Sequence, residues 1–326
     1  MRIRSVLALT LLVTLACSEP TASPSSLVTT PAAALLPPWS YNGPKVPFPG
    51  QHSELLDVND RGHMVGFAGD DAVLLDLHGG TYWLNKAGGT RAEARAVNAS
   101  AAAAGWVYGT WQNPAIWLRP TSAPILRPEF GWVWDMNDRA EAVGSINVNG
   151  VYQAFYWEAT TGTFTVLPMP RGATWTQATG INNDRVVVGL SGSGGVMWRL
   201  RSTGWVVTRL KGIDPWAVDA GYGTVGTDRN GRPAWGNPHL ARIMGAGGIA
   251  NGIHPGGTIS GGMSAVLYGT MDAFVADRSG AITFLPAPAG AQGAQAYNSA
   301  TCGLVVGSSY NPAIFANQAV YWDPGC

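Results

Sequence analysis

Few segments of this 326-residue chain have the residue types and spacing of a chemical site. Residues 221–226 read Gly-Tyr-Gly-Thr-Val-Gly, and residues 245–250 match a relaxed form of the same dinucleotide-binding fingerprint. That fingerprint requires a helix after the glycines, because the helix N-terminus holds the pyrophosphate. Both segments run instead into turn-forming residues. We interpret them as chance matches in a chain with 43 glycines, and we predict no cofactor.

Motifs for metals and nucleophiles are also incomplete. The segment from Asp57 to Gly62 begins like a calcium loop, but Arg61 occupies a ligand position and Ala68 stands where the twelfth-position carboxylate is needed. We therefore favour a capped hairpin turn there. No nucleophile elbow or His-Glu-x-x-His motif occurs, although a triad assembled in space would leave no such motif. No zinc-type spacing relates the histidines, which are His52, His63, His78, His239 and His254.

The first of the three cysteines lies at the end of an export signal. Two arginines and an apolar run over residues 6–16 precede Cys17, and the run is too short to span a bilayer. The segment resembles a bacterial lipoprotein signal, in which the cysteine becomes the first mature residue and carries lipid. The alternative is ordinary cleavage after Ala16. Both interpretations predict export, and lipidation of Cys17 favours the outer membrane or the cell surface.

The other two cysteines are predicted to form a disulfide. An exported chain with two remaining thiols is expected to pair them. Cys302 lies in the turn before the second strand of the last repeat, and Cys326 follows the third strand. Antiparallel neighbours place these two points side by side, which favours a structural disulfide over free or redox-active thiols.

Charge and composition exclude two kinds of charged segment. The 20 Lys+Arg residues balance the 20 Asp+Glu residues, and only 12% of the chain is charged. A nucleic-acid-binding surface or an acidic disordered tail would show a net charge or a like-charge run, so we predict neither. Residues 18–43 are rich in Ser, Thr, Ala and Pro without periodicity, which is typical of a flexible tether. The predicted organisation is a signal peptide over 1–16, a lipidated cysteine and tether over 17–43, and a folded domain over 44–326.

The folded domain is an internal repeat. An apolar residue, then Asn or another polar residue, then Gly seven positions later recur at intervals of about 40 residues. The seventh copy, Asn298 with Gly307, carries two extra residues. Seven units of this length are typical of a β-propeller. The repeated polar residues are Asn59, Asn98, Asn137, Asn182, Asp219, His254 and Asn298.

Each unit predicts four short strands joined by Asp/Asn/Gly turns. Residues 92–104 are alanine-rich and favour a helix by propensity, but Asn98 and Gly105 keep the phase of the repeat, so we predict strands. The fourth run often closes in Leu-Pro. Five tryptophans recur in the third run and are predicted to pack as core wedges between blades: Trp117, Trp157, Trp198, Trp235 and Trp322.

The two ends of the chain are predicted to close the ring. The last unit stops after its third strand, and Val46-Pro47-Phe48-Pro49 precedes the first unit in the manner of a displaced fourth strand. Such a strand would remove the open sheet edges of blade 7. The predicted fold is all-β: a seven-bladed β-propeller of four-stranded antiparallel blades, closed by an N-terminal strand.

The units resemble the bacterial extracellular HAF-repeat family, named for a His-Ala-Phe triplet in the third strand. The triplet stands here as Gln153-Ala154-Phe155, Asp272-Ala273-Phe274 and Gln318-Ala319-Val320, whereas the Asn-to-Gly element is well kept. The resemblance covers residues 54–326. It implies a secreted or surface β-propeller and supplies no catalytic residues to carry over.

One end of the predicted propeller collects the residues that do not repeat. Connections from strand four to strand one and from strand two to strand three emerge there, and variable residues at the mouth of a repeated scaffold commonly bind ligands. The alternative is that these tryptophans only pack loops. The candidate ligand-binding residues are Arg95, Trp111, Trp132, Trp134, Trp175, Gln177, Asp214, Trp216, Arg229 and Gln295.

These features favour a surface-tethered, extracytoplasmic binding module. Its expected ligand is a carbohydrate, peptide or protein, because tryptophan faces suit sugars and peptides. Two alternatives remain: a propeller-type polysaccharide hydrolase or lyase with paired carboxylates or a histidine near the axis, and a structural surface protein. The only predicted contact with a membrane is through the lipid anchor.

Overall fold

The computed structural model describes residues 41, 43–78, 80–237, 240–243, 247–254, 256–264 and 271–326. The chain divides into a unit over Met1–Ala34, which lies outside these residues, and a unit over Leu35–Cys326. The predicted signal segment, Cys17, His239 and most of the tether therefore fall outside the described residues. Within the described residues, no helix is long and apolar enough to cross a membrane.

The second unit is a seven-bladed β-propeller in which each blade is a four-stranded antiparallel sheet. Blade 7 contains the N-terminal strand β1 (Pro44–Lys45) together with β26 (Ala294–Ser299), β27 (Val305–Asn311) and β28 (Ala316–Trp322). Blades 1 to 3 are β2 (Ser53–Val58), β3 (His63–Ala68), β4 (Asp71–Asp76), β5 (Thr81–Trp83); β6 (Arg91–Val97), β7 (Ala103–Tyr108), β8 (Gln112–Trp117), β9 (Ile125–Leu126); and β10 (Gly131–Met136), β11 (Glu141–Val148), β12 (Val151–Glu158), β13 (Thr163–Val166).

Blades 4 to 6 continue the same order of strands. They are β14 (Thr176–Ile181), β15 (Val186–Ser191), β16 (Gly194–Arg201), β17 (Gly204–Arg209); β18 (Asp214–Val218), β19 (Thr224–Thr227), β20 (Pro233–Asn237), β21 (Leu240–Ile243); and β22 (Gly248–Ile253), β23 (Ile259–Ser264), β24 (Met271–Ala276), β25 (Ile282–Phe284). The first strand of each blade contacts the first strands of both neighbouring blades, so these seven strands surround the axis. We call them the axial strands.

The repeated glycine is required by a bulge in the axial strand. In blade 1 the register passes from Leu55↔Gly66 to Asp57↔Val65, which leaves Leu56 as an extra residue. The bulge brings the backbone of the axial strand close to the glycine, and a Cβ on Gly66 would overlap the carbonyl oxygen of Glu54. The corresponding glycines of the other blades meet the same obstacle. A side chain at this position would therefore push the first two strands apart.

The register corrects the alignment of the seventh repeat. In blade 7 the pairs Ala296↔Gly307 and Asn298↔Val306 match Leu55↔Gly66 and Asp57↔Val65 of blade 1. Asn298 is therefore the equivalent of Asp57, and Ala300 takes the place predicted for Asn298. Ala300 N–H donates to Leu304 O at 2.8 Å, just as Asn59 N–H donates to His63 O at 3.0 Å. Blade 7 has no insertion; its repeated polar residue has become alanine.

The recurring tryptophans are core wedges, as predicted. Four of them are at most 1% exposed, and Trp235 is partly buried. The indole N–H of Trp198 donates to Pro168 O in the preceding blade at 2.7 Å, and Trp322 donates to Pro286 O at 2.7 Å. Those carbonyls directly follow buried leucines. The repeated Leu-Pro therefore supplies both an apolar contact and a hydrogen-bond acceptor for the next blade's tryptophan.

An N-terminal strand closes the ring, but it lies slightly earlier than predicted. β1 pairs with β28 through Pro44↔Trp322 and Lys45↔Tyr321, whereas the predicted strand was residues 46–49. Pro47 and Pro49 have no amide hydrogen for a sheet ladder, and the chain turns there toward blade 1. Val46 instead packs against the core beside Trp322.

The predicted disulfide joins Cys302 and Cys326, whose Cα atoms are 5.8 Å apart. Cys302 lies in the turn between β26 and β27, and Cys326 follows β28. The alanine-rich segment 92–104 forms β6 and the start of β7, so packing overrides helix propensity there. The dinucleotide-like segment 221–226 ends inside β19, and the segment 245–250 ends inside β22.

Candidate functional site

The axis of the propeller has two ends with different chemistry. At one end, the first two strands and the last two strands of each blade are joined by tight turns; we call this the turn face. At the other end, strand two leads to strand three and each blade leads to the next; we call this the loop face. The axial strands run between the two faces, and each begins at the loop face and ends at the turn face. The ten sequence-predicted ligand-binding residues lie in connections of the loop face or along the axial strands, and three of them lie at the bulges in the middle of those strands: Arg95, Trp134 and Trp216.

The repeated asparagine is a structural residue of the turn face. The side-chain oxygen of Asn137 accepts hydrogen bonds from the amides of Arg139 and Glu141 at 3.0 and 3.1 Å, which caps the turn. Its side-chain nitrogen donates to Asn182 O of the next blade at 3.1 Å. The same two roles recur in blades 1, 2 and 4. An amide side chain suits this position because it combines an acceptor for the turn with a donor for the neighbouring blade.

His254 takes over this position in blade 6. Its Nδ1 accepts a hydrogen bond from Gly256 N–H at 3.0 Å, so Nε2 carries the hydrogen of the neutral ring. Nε2 lies 2.9 Å from Asp60 Oδ1 of blade 1 and 3.1 Å from Thr301 Oγ1 of blade 7. The pKa of Asp60 is held far below its usual value, chiefly by the hydrogen bond from His254. The longer imidazole thus reaches past Ala300, which has no side-chain donor, and links blade 6 to blade 1.

A cavity of about 220 Å³ opens on the turn face at the axis. Its rim carries exposed residues of the turns, including Asp138 and Asn183. Farther in, Asp57 of blade 1, Asp135 of blade 3 and Asn298 of blade 7 line the cavity. Blades 7 and 1 are neighbours in the ring. Among the described residues no group of three or more His, Cys, Asp or Glu side chains is placed to hold a metal ion.

The two inner carboxylates tie blades together through backbone amides. Asp57 accepts hydrogen bonds from Val58 N–H at 2.8 Å, from Val97 N–H of blade 2 at 2.7 Å, and from the Asn298 side chain of blade 7. Asp135 accepts from Met136 N–H at 2.7 Å and from Ile181 N–H of blade 4 at 2.7 Å. Each carboxylate therefore bridges its own blade and the following one.

These carboxylates retain protons more readily than ordinary aspartates. Burial, together with the negative charge of Asp135, raises the pKa of Asp57 to about 7. Burial raises the pKa of Asp135 to about 6, although two backbone N–H groups oppose the shift. Neither residue was predicted from the sequence to be functional. The sequence signal that could have identified them is an acidic residue two positions before the repeated polar residue. The five other blades have no acidic residue at that position.

The axial strands bring four of the predicted residues into one cluster, at the bulges and one position toward the loop face from them. Trp134 of blade 3 meets Trp216 of blade 5 with ring centroids 6.4 Å apart in a T-shaped contact. The guanidinium carbon of Arg95 lies 4.0 Å from the centre of the Trp134 ring. Trp132 contacts Trp134 edge to face at 6.3 Å. We call these four residues the aromatic cluster.

Charged groups hold the aromatic cluster in place on one side. Arg95 forms an ion pair with buried Glu93 at 2.7 Å, which fixes the guanidinium over the indole. At the same level in blade 1, Glu54 accepts hydrogen bonds from Tyr297 at 3.0 Å and from Asn317 at 2.7 Å. Burial and the charge of Glu54 raise the pKa of Tyr297 far above its usual value, so this phenol stays a donor.

The other predicted residues divide into two groups. Gln177, Asp214 and Gln295 lie on axial strands, partly buried, at the level of Trp132. Trp111, Trp175 and Arg229 lie outside the cluster, in connections of the loop face. Trp111 is 63% exposed. Further aromatic residues of the loop face are also exposed: Tyr108, Tyr152, Tyr310 and Phe315.

No family model matches the chain, and no curated protein matches it. Among solved structures the chain is similar to TolB from Acinetobacter baumannii, with 12% sequence identity, a TM-score of 0.48 and 76% of this chain covered. The chain spans 65% of the length of that TolB chain.

Proposed function

We propose that this protein is an extracytoplasmic binding module that holds a carbohydrate or peptide at its loop face. The aromatic cluster is the observation that carries this proposal. Arg95, Trp134 and Trp216 converge from three blades at the axis, where a ligand would contact several blades at once. Exposed aromatics on the surrounding connections extend the same surface. Indole faces and a fixed guanidinium suit sugar rings and peptide groups.

The proposed location is supported by the disulfide. A Cys302–Cys326 bond persists in oxidising compartments and is rare in the cytosol. Lipidation of Cys17 belongs to the same proposal. Replacing Cys17 by Ala should move the protein from the membrane fraction to the soluble extracytoplasmic fraction, since stable anchoring needs acyl chains. An unchanged membrane fraction would disprove the lipid anchor.

The binding proposal is tested with panels of immobilised polysaccharides and peptides. Retention without product identifies a binder, whereas release of product identifies the hydrolase or lyase alternative. The double variant Trp134→Ala/Trp216→Ala should lose retention while remaining more stable than Trp157→Ala, which opens a core cavity costing about 3–5 kcal/mol. If the double variant is retained as well as the parent, the aromatic cluster is not the site.

The enzyme alternative would use Asp57 and Asp135, which are the paired carboxylates near the axis. The oxygen atoms of both carboxylates accept hydrogen bonds from backbone amides of neighbouring blades. Among the described residues, the cavity that they line contains no Trp, Tyr or Phe to stack on a sugar ring. These contacts favour a role in joining blades over glycoside chemistry. Asp135→Asn would abolish turnover if the alternative is correct.

A further inference from the structure

Arg91 is a cation of the loop face that has no anionic partner among the described residues. It is the first residue of the axial strand β6, at the loop-face end of blade 2. Its guanidinium carbon lies 5.6 Å from the ring centre of Phe67 of blade 1 and 5.5 Å from that of Trp106 on β7. Both distances are typical of cation–π contacts. Aromatic rings of two blades therefore hold this guanidinium in place.

The outer end of the guanidinium is open to a ligand. Arg91 is partly buried, and its Nε atom is covered and has no hydrogen-bond partner. The two terminal nitrogens are not covered in this way, and no hydrogen bond or ion pair within the described part of the chain uses them. An arginine is always charged, and its terminal N–H groups match the two oxygens of a carboxylate. The free end of Arg91 therefore suits an anionic group.

Two nearby carboxylates do not neutralise Arg91. Glu93, two residues further along β6, is buried and forms its ion pair with Arg95 at 2.7 Å. The backbone carbonyl oxygen of Asp70 accepts from Ala92 N–H at 3.0 Å, but the exposed Asp70 side chain forms no ion pair with Arg91. A partly buried cation without a counter-ion interacts more strongly with an external anion than a fully hydrated cation does.

The repeated scaffold does not require a cation at this position. Strand pairing makes His52, Phe130 and Trp175 the equivalents of Arg91 in blades 1, 3 and 4. The remaining three blades have glycine there. Arg91 is therefore a feature of blade 2 alone, and a change at this position leaves the repeated contacts between blades in place.

Exposed aromatic rings lie beside this guanidinium. Tyr108 is paired with Arg91 across β6 and β7, so the two side chains are on the same face of blade 2. Tyr108 is 45% exposed, and Trp111, in the connection that follows β7, is 63% exposed. Such rings stack on sugars through their apolar faces. Blade 2 thus combines donors for a carboxylate with surfaces for a sugar ring.

We propose that the loop face binds the uronate units of an acidic carbohydrate, with Arg91 paired to the carboxylate and the rings of Tyr108 and Trp111 against the sugar. This inference rests on the proposed function and names the class of its ligand. A uronate carries its carboxylate on the sugar ring itself, so both contacts are made by one unit. An acidic peptide carries its carboxylates on flexible chains away from any ring, which favours the uronate.

Retention of the full-length protein on immobilised polygalacturonate and alginate tests the proposal. Methyl-esterified polygalacturonate is the matched ligand, because it has the same rings without the charge. Retention should be about tenfold or more stronger on the acid than on the ester. Added salt should weaken retention on the acid only. Competition by monomeric galacturonate assigns the site to a free uronate, whereas retention without such competition assigns it to a polysaccharide.

Variants of blade 2 locate the carboxylate. Arg91→Gln should weaken retention on polygalacturonate by about tenfold or more and leave retention on the ester unchanged. Arg91→Lys should also weaken it, because lysine keeps the charge but lacks the planar pair of donors. Arg61→Gln is the matched control, since Arg61 is exposed in the turn between β2 and β3 on the turn face. Melting temperatures check that each variant is folded.

Three results would overturn the proposal. They are equal retention on acid and ester, retention unaffected by Arg91→Gln, and stronger retention on dextran sulfate or on a peptide with a free C-terminal carboxylate than on either uronate polymer. If Arg91→Gln does not fold, Arg91→Lys and the comparison of acid with ester decide.

Failure of this inference can be told apart from failure of the proposed function. Retention on neutral polysaccharides that is lost in Trp134→Ala/Trp216→Ala but unchanged in Arg91→Gln would remove the uronate contact and leave loop-face binding intact. Retention on polygalacturonate that depends on Arg91 but not on the two tryptophans would keep the uronate contact and exclude the aromatic cluster.

Discussion

Replacing Asn182 by Asp should destabilise the propeller more than the same replacement at Asn98. Both residues are buried, and both cap their turns by accepting two backbone N–H bonds at 2.9 to 3.0 Å. They differ in the link to the next blade. The side-chain nitrogen of Asn182 donates to Asp219 O at 2.8 Å, whereas that of Asn98 lies 3.5 Å from Asn137 O.

The magnitude follows from what each aspartate would lose. Aspartate keeps the oxygen that caps the turn but cannot donate to the next blade. In Asn182→Asp a buried carbonyl oxygen loses its partner, which costs about 1–3 kcal/mol. In Asn98→Asp the link is already at the limit of a hydrogen bond, so its loss should cost less than about 1 kcal/mol. Alanine at either position should cost about 2 kcal/mol more than aspartate, since it also removes two capping bonds.

Urea denaturation followed by tryptophan fluorescence measures these differences, and the cost of burying a carboxylate is common to both aspartate variants because both positions are buried. The urea dependence of the unfolding free energy should be the same for all variants, because the surface exposed on unfolding does not change. Equal losses for the two aspartate variants would show that the side-chain nitrogen contributes nothing between blades. In that case the repeated asparagine would be a turn cap alone.

Three further outcomes are expected. Reducing the disulfide, or Cys326→Ser, opens a loop of 24 residues and should cost roughly 3 kcal/mol of stability while leaving loop-face binding intact, as measured by thermal melting and retention. The pKa values of Asp57 and Asp135 rise from 3.8 to about 7 and about 6 on folding, so their contribution to stability is present below pH 3.8 and is lost as the pH rises to about 7. Asp135→Asn should reduce this loss of stability with rising pH. An unchanged pH dependence of the unfolding free energy would contradict the pKa shift. Deleting residues 18–40 should leave the melting temperature unchanged, because Tyr41, which packs on the blade-7 core and donates to Gly303 O, is kept; deleting 18–49 removes Tyr41 and β1 and should lower it, and equal values would exclude a stabilising role for this segment.

The fold could be predicted from the sequence because the pattern that specifies one blade is repeated seven times. Each unit places turn residues and apolar runs at the same spacing, so the strand count and blade count follow from the period. Local exceptions could be judged against that period, as at residues 92–104, where alanine favours a helix but the repeat requires strands. Trp157 and its equivalents were assigned to the core for the same reason.

The seventh repeat shows where spacing alone misleads. Asn298 was aligned with the other asparagines because it has their residue type, yet strand pairing places Ala300 at that position. From the sequence alone, the seventh repeat was aligned by residue type, because the pairing of its strands was not yet known. The bulge in the axial strand, which fixes the register, depends on pairing between strands and leaves no one-residue signature.

The sequence by itself determined the repeat, the all-β class, the disulfide and the group of non-repeating residues that lie in the loop-face connections and along the axial strands. Tertiary structure alone decided which of these side chains meet, because Trp134 and Trp216 belong to blades 3 and 5, which are separated by blade 4. It also decided that Asp57 and Asp135 line one cavity on the turn face. Ring closure produces both arrangements: it brings seven distant strands to a common axis, so neighbours in space lie about 40 or more residues apart in the chain.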